Sequence, residues 1–482
     1  MTIGDERPTA LQRLSSLYLR LSAEIDWRIL TVLASIAFCH GLLYLAIVPP
    51  WQHYDEPTHF EYAALIARHE AGRGAELADL ELNHSIADSM YRHRFWSPEF
   101  RPWMFGIAPV TIGYDQEVHP PLYYALIAIP ISWMQAFPVE LHLYAARFVS
   151  VICFTLVILT AWRLTCILTP NEPIAQLALP LLIAFMPTYS DLMSAVNNDV
   201  LVNFSVTAML LGCVLLIRDG LRPAALVLAI LGLIVALLTK RTAVVALFPF
   251  MLSMLWAVRR EQLNLRSWLI VVGLIVSMAL AMLRFEMNKG GLVAYARPWL
   301  NAIDIAYLRL NIEAWLASVS DWERSWPIYI AMPQLLFDTY WLRFAWGHIA
   351  ALSLWSWLFG FMLLWCSIGL LAGMWFQNDE ILLWQRRVIW LFVLALMAAL
   401  ISALLRIHPL PAEGLPRFFS AGRYMFFVML PSLWLLALGW QRMMPARWRM
   451  YSLPLLVGIF AIFDASVWFI TLTGYYYVQA GQ

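Results

Sequence analysis

Charge is what this 482-residue chain has least of: 13% of its residues are Asp, Glu, Lys or Arg, while 62% are hydrophobic. A soluble globular chain carries about 25% charged residues, so a soluble multidomain enzyme is excluded. Lysine is nearly absent, with only Lys240 and Lys289 present, so the basic side chains are almost all arginine. A formal net charge of +1 supplies no bulk field for nucleic acid. Cysteine is scarce as well. Cys39, Cys153, Cys166, Cys213 and Cys366 all fall in apolar runs without metal-type spacing, and none lies in the long polar segments. A disulfide framework is therefore not expected. No Gly-rich nucleotide loop is present.

What remains is apolar sequence and tryptophan, a residue suited to membrane interfaces. A membrane-spanning helix needs about 20 mostly apolar residues, and about eleven segments qualify. They cover 27–48, 144–166, 174–191, 199–217, 223–239, 242–258, 267–284, 349–375, 388–405, 424–440 and 453–473. The fold class is all-α and polytopic. Ahead of the first span, residues 9–24 place Leu11, Leu14, Leu17, Tyr18 and Leu21 at helical spacing. That pattern predicts a helix lying on the membrane surface. No small-residue cleavage site follows the first span, which reads as a retained anchor.

Arginine in short loops sets orientation. With the N-terminus inside, the inside loops hold Arg218 and Arg222, then Arg259, Arg260 and Arg266, then Arg386 and Arg387, then Arg442, Arg447 and Arg449. The long segments 49–142 and 285–348 then fall outside, as does 406–423. The apolar stretch 120–137 is short and interrupted by Pro130, so a juxtamembrane or re-entrant helix is expected there. One outside turn breaks the charge rule, because it carries Lys240 and Arg241.

The first outside segment opens Pro49-Pro-Trp-Gln-His-Tyr-Asp-Glu-Pro-Thr-His59. Pro57 suits a helix start, which places Asp55 and Glu56 where backbone N–H groups favour carboxylates. Simple capping explains that pattern. So does a base poised to take a proton from an acceptor hydroxyl, and the place just after the first membrane exit favours the second. His53, Asp55 and His59 also have spacing compatible with a divalent metal, without matching a strong metal signature. Asn197-Asn-Asp199 opens another span and reads as a cap or a second acidic site. Asp464 lies mid-span, where an acid is costly; a hydrogen bond to a neighbouring helix accounts for it. Lys240, Arg241, Arg417 and Arg423 all fall at outside helix ends. They either snorkel to lipid headgroups or form a phosphate-binding cluster.

At these residues the chain resembles the GT-C superfamily of membrane glycosyltransferases. The nearest likeness is to a bacterial family of polytopic membrane proteins with no assigned activity, and then to protein-mannosyltransferase-like enzymes. The pieces that carry it are Pro50 to His59, His119-Pro-Pro-Leu-Tyr-Tyr124, Asn197-Asn-Asp-Val200, Leu238-Thr-Lys240 and Gly422-Arg-Tyr424, in the family's order. The resemblance implies a GT-C-like fold in the bacterial inner membrane with its site facing the periplasm. It implies a polyprenyl-phosphate-linked sugar donor and a glycan, lipid or protein acceptor. It makes Asp55 the base, with Glu56 beside it and Asp199 as second acid. His59, His119, Tyr123, Lys240, Arg241, Arg417, Arg423 and Tyr424 become candidates for binding substrate. Arg241 directly after Lys240 departs from the expected pattern, and a divalent metal stays open. Two other readings compete: a transporter or flippase of lipid-linked glycans, and a polymerase or ligase of them. The last would not require the early Asp-Glu.

Overall fold

The computed structural model describes residues 26–68, 79–96, 110, 112, 116, 119–260, 305–375, 382–407 and 419–478. The expected surface helix at 9–24 and the span at 267–284 lie outside them, as does Arg417. The described chain is helical almost throughout, and the structure is that of an all-α polytopic membrane protein.

Helix α1 (Trp27–Ile47) is capped by Asp26, whose carboxylate accepts the N–H groups of Arg28 and Ile29. Two short helices follow the first membrane exit, α2 (Glu56–Ala67) and α3 (Leu80–Arg92). Next come α4 (Leu122–Trp133) and α5 (Val139–Leu168), then a bent pair, α6 (Pro173–Ala184) and α7 (Pro187–Met193). Helices α8 (Asp199–Asp219) and α9 (Pro223–Leu237) form a hairpin, and a 3₁₀ turn at Arg241–Ala246 leads into α10 (Leu247–Arg260). The second half holds α11 (Ile305–Ser320) and α12 (Trp322–Trp341). A two-residue antiparallel ribbon of β1 (Arg343–Phe344) and β2 (Ile349–Ala350) separates these from α13 (Ser353–Trp375) and α14 (Leu383–Leu405). A second 3₁₀ turn, Gly422–Val428, opens α15 (Met429–Met443), and α16 (Arg449–Ser466) closes the bundle with π-type turns to Val478.

Among the described residues, eight helices are long and apolar enough to cross a membrane. The expected span at 174–191 is the pair α6–α7, bent by 65°. The expected span at 223–239 is the 15-residue α9, about 22 Å long at 1.5 Å per residue and so shorter than the hydrocarbon core. Helix α4 has 12 residues with Pro130 inside. At about 18 Å it is shorter than the hydrocarbon core, and it packs beside α2 and α5. Exposed Leu354, Trp357, Phe361, Leu364, Ile368 and Leu371 run as a stripe along α13. Such a stripe is untenable in water and suits lipid.

Two close approaches shape the site end of the bundle. Gly212 and Gly232 let α8 and α9 touch backbone to backbone, since a Cβ at either would collide with the other helix. Gly422 sits against Leu336 and Tyr340 of α12, and its N–H donates to Thr339 Oγ1 at 2.6 Å. The segment 285–348, outside the fragments that carry the family resemblance, thus supplies the helix on which the Arg423 turn rests. Asp464 of α16 accepts from Tyr44 at 2.7 Å and pairs with His40 at 2.7 Å. This buried acid joins the last span to the first.

Candidate active site

The chain leaves α1 through a turn with two left-handed residues, Trp51 (φ 72°) and Asp55 (φ 55°). Non-glycine residues take that conformation only when held in it; Glu56 anchors the first of them and Arg423 the second. Glu56 is fully buried and takes Arg147 in a bidentate pair, Nε to Oε1 at 2.8 Å and Nη2 to Oε2 at 2.6 Å. It also accepts the N–H of Trp51 (3.0 Å) and of Val196 (3.2 Å). Arg147, equally buried in α5, donates further to the carbonyls of Leu45, Val48 and Pro49. Burial raises the Glu56 carboxyl, but Arg147 and then His53 more than offset it, leaving it below the ordinary carboxylate range. Both oxygens of Glu56 are therefore spent inside the protein. The sequence expectation set it beside the base; here it pins the first exit to α5 and to the loop before α8.

Asp55 does not cap α2. Its carboxylate turns away and accepts from Arg423 Nη2 at 2.6 Å, while remaining about a quarter exposed (28%). The Arg423 guanidinium lies 3.4 Å from the centre of the Tyr54 ring. Arg423 is otherwise buried, and its Nε and Nη1 have no partner among the described residues.

On the far side of Arg423 stands the second acid. Lys240 Nζ donates to Asp199 Oδ1 at 2.6 Å, and Asp199 Oδ2 is buried without a partner among the described residues. The short helix α9 explains why the lysine is recessed: it stops at Leu237, and the chain turns inward at Lys240 before the 3₁₀ turn begins. The Tyr424 ring gathers the cations, with Arg406 at 4.6 Å, Arg423 at 5.2 Å and Lys240 at 5.5 Å from its centre.

His59 of α2 shares a 2.8 Å hydrogen bond with Tyr124. Burial, then His119 and Lys240 nearby, hold its imidazole well below the usual histidine value. His119 is pushed down to about 3 by burial and then by Lys240 and Arg241. Both histidines are thus neutral beside the cations, and His119 Nδ1 has no partner among the described residues. Tyr123 is placed differently from expectation. Its hydroxyl accepts the N–H of Asn197 at 2.9 Å and meets Ser150 Oγ at 3.1 Å, fully buried. It orients the Asn197–Asp199 loop instead of facing a substrate.

His53, Asp55 and His59 do not converge as one metal site. His53 lies 3.0 Å from Asp191, Asp55 pairs with Arg423, and His59 meets Tyr124. Among the described residues, no trio of His, Cys, Asp or Glu is arranged to hold a metal. A narrow cleft on the Asp191 side is lined by His53, Tyr54, Asp191, Arg343 and Arg423. It meets the cation cluster at Arg423.

Residues 118–284 match the dolichyl-phosphate-mannose-protein mannosyltransferase family. The chain is thus similar to a GT-C membrane glycosyltransferase over that part, which takes in His119, Tyr123, Asn197 to Asp199, Lys240 and Arg241. Asp55, Glu56 and Arg423 lie outside the match and join its residues only in space. No curated protein and no solved structure matches the chain.

Three participants escaped the sequence reading. Arg147 was detectable as a cation set among apolar residues inside the expected span 144–166, which is costly unless it has a partner. Arg406 follows directly on α14, at the start of the outside segment that ends in Arg423. Tyr54 left no signal beyond its place beside Asp55.

Proposed function

We propose that this protein is an inverting glycosyltransferase that moves a sugar from a polyprenyl-phosphate donor to an acceptor hydroxyl at the periplasmic face of the bacterial inner membrane. One observation carries the reading: a reachable carboxylate, Asp55, and a cation group, buried Arg423 and Lys240 with half-buried Arg406, share a single guanidinium. Asp55 takes the proton from the acceptor hydroxyl. The acceptor oxygen forms its bond to the anomeric carbon from the face opposite the phosphate. The bond from that carbon to the phosphate oxygen breaks, and the electron pair leaves on the lipid phosphate. Negative charge builds on that phosphate in the transition state, where prearranged cations act most strongly. Arg423 has Nε and Nη1 to offer it while Nη2 orients the base. Asp199 is a positioning residue that holds Lys240, and Glu56 positions Asp55 through the backbone. Neutral His59 and His119 are suited to hydrogen-bond sugar hydroxyls without adding charge.

The supporting charges stand at one end of the bundle, at helix starts and in 3₁₀ turns, which suits a surface reaction better than a transport path across the midplane. The test is turnover by purified protein in nanodiscs, following release of polyprenyl phosphate across a panel of polyprenyl-phosphate sugars. Release with at least one donor, dependent on an added hydroxyl acceptor, supports the reading. Active transbilayer movement of intact donor without any release would replace it.

A further inference from the structure

A second cavity, of about 540 Å³, lies at the other end of the bundle from Asp55 and Arg423. It sits between the start of α6, the end of α15 and the start of α16, and is lined by Glu172, Ile174, Gln441, Arg442, Arg449 and Met450. Its charges are not consumed by the fold. Arg442 makes one long bond, Nη1 to the Leu370 carbonyl at 3.5 Å, and neither it nor Arg449 forms an ion pair among the described residues. Glu172 lines the same cavity, is exposed, and closes on neither arginine. The lining carries two cations and one anion and so has a net charge of +1.

The walls are otherwise apolar and open sideways: Ile174 is 48% exposed and Met450 63%. Beside the mouth, Trp448 and Tyr451 are more than half exposed, the pair of residue types that settles at headgroup depth. Other helix ends at this end of the bundle also carry arginine, Arg386, Arg387 and Arg447, though none of these lines the cavity. A basic pocket between spans with an apolar side opening is the arrangement that takes a lipid headgroup.

We propose that this cavity binds the headgroup of an anionic glycerophospholipid of the phosphatidylglycerol type. The phosphate would lie between Arg442 and Arg449, whose forked donors match it. The glycerol hydroxyls would reach Glu172 and Gln441, and the acyl chains would leave past Ile174 and Met450. The net charge of +1 is complemented by the single negative charge of this lipid, not by a zwitterion of net zero charge.

The test uses the full chain in nanodiscs of equal phosphatidylglycerol and phosphatidylethanolamine. Lipids retained on the protein are counted by native mass spectrometry, and thermal unfolding is recorded in parallel. The wild type should retain phosphatidylglycerol preferentially and unfold at higher temperature than in phosphatidylethanolamine alone. Arg449→Gln, on an exposed side chain, should lower the preference by about fivefold, the share one basic residue near a membrane surface contributes. Arg442→Gln with Arg449→Gln should abolish it, while the exposed Arg386→Gln, away from the cavity, should leave it intact. Equal retention of the two lipids by the wild type would overturn the proposal. So would an unchanged preference in Arg449→Gln, or an equal loss in Arg386→Gln, which would mean a general surface charge effect. Glycerol 3-phosphate added to phosphatidylethanolamine discs should not raise the unfolding temperature; if it did, the site would take a free phosphate group and the lipid assignment would fall.

Discussion

Asp55→Asn separates a base from a structural residue with little ambiguity. The substitution keeps size and leaves one carbonyl oxygen to accept from Arg423 Nη2, now 2.6 Å from the carboxylate. It replaces an ion pair by a hydrogen bond in which only the guanidinium is charged, so stability falls by roughly 1 kcal/mol. Partial exposure of Asp55 keeps that loss at the low end. No capping bond is lost, because Asp55 makes none to α2. Turnover behaves otherwise. An amide cannot take the acceptor proton, and losing a general base costs about 10²–10⁴-fold, or roughly 3–5 kcal/mol of barrier. Donor binding should hold or tighten, since Arg423 is released from its carboxylate. The assay is steady-state release of polyprenyl phosphate in nanodiscs, varying donor at saturating acceptor, with thermal unfolding of the same sample. The expected pattern is a low kcat, an unchanged or lower donor KM and a nearly unchanged unfolding temperature. A folded Asp55→Asn protein with wild-type kcat would refute the assignment of the base.

Removing the cations one at a time, by Lys240→Ala and Arg423→Ala, should weaken donor binding by about 1.5–3 kcal/mol each, measured as donor Kd in the absence of acceptor; unchanged affinity in both would return them to a structural role. Glu56→Gln should act on stability, because breaking a buried ion pair from one side costs about 3–5 kcal/mol. Glu56→Gln together with Arg147→Met should recover part of that loss on denaturation, a recovery that a directly reacting Glu56 would not show in turnover. Acid should destabilise the protein below about pH 6.5, the ordinary histidine value. The unfolded chain takes protons there, while native His59 and His119 refuse them, His119 down to about 3. Each histidine therefore removes about 1.4 kcal/mol of stability per pH unit below that point, and His119→Gln should flatten the acid limb. Single cysteines at Asp88 and Ser320, both exposed, should react with an impermeant maleimide in cells with a permeabilised outer membrane; protection of both would reverse the orientation.

Much of the architecture was legible because the bilayer leaves few choices. Apolar length alone located the spans, since only a helix satisfies its backbone in lipid. Pro130 and the shortness of its stretch marked α4 as a helix shorter than a full span. Charge in an unexpected place singled out Lys240 and the ordered fragments singled out Asp55, Asp199 and Arg423, which the structure joins as two ion pairs.

What the sequence could not express was pairing. Arg423 meets Asp55 across 368 residues and Lys240 meets Asp199 across 41. The spans are apolar on the side that faces lipid and on the side that faces other helices, so periodicity is muted and does not report which faces touch. The same limit hid the parting of Asp55 and Glu56, neighbours in sequence with opposite fates. One stays partly exposed on Arg423 and the other is sealed against Arg147, because a left-handed turn at Asp55 throws the two carboxylates apart. Apolar composition determined only that charge would be confined to the ends of the spans, on both sides of the bundle. Only the packing of α12 under Gly422, and of α9 against α8, decided which acid holds which cation and which carboxylate stays partly exposed.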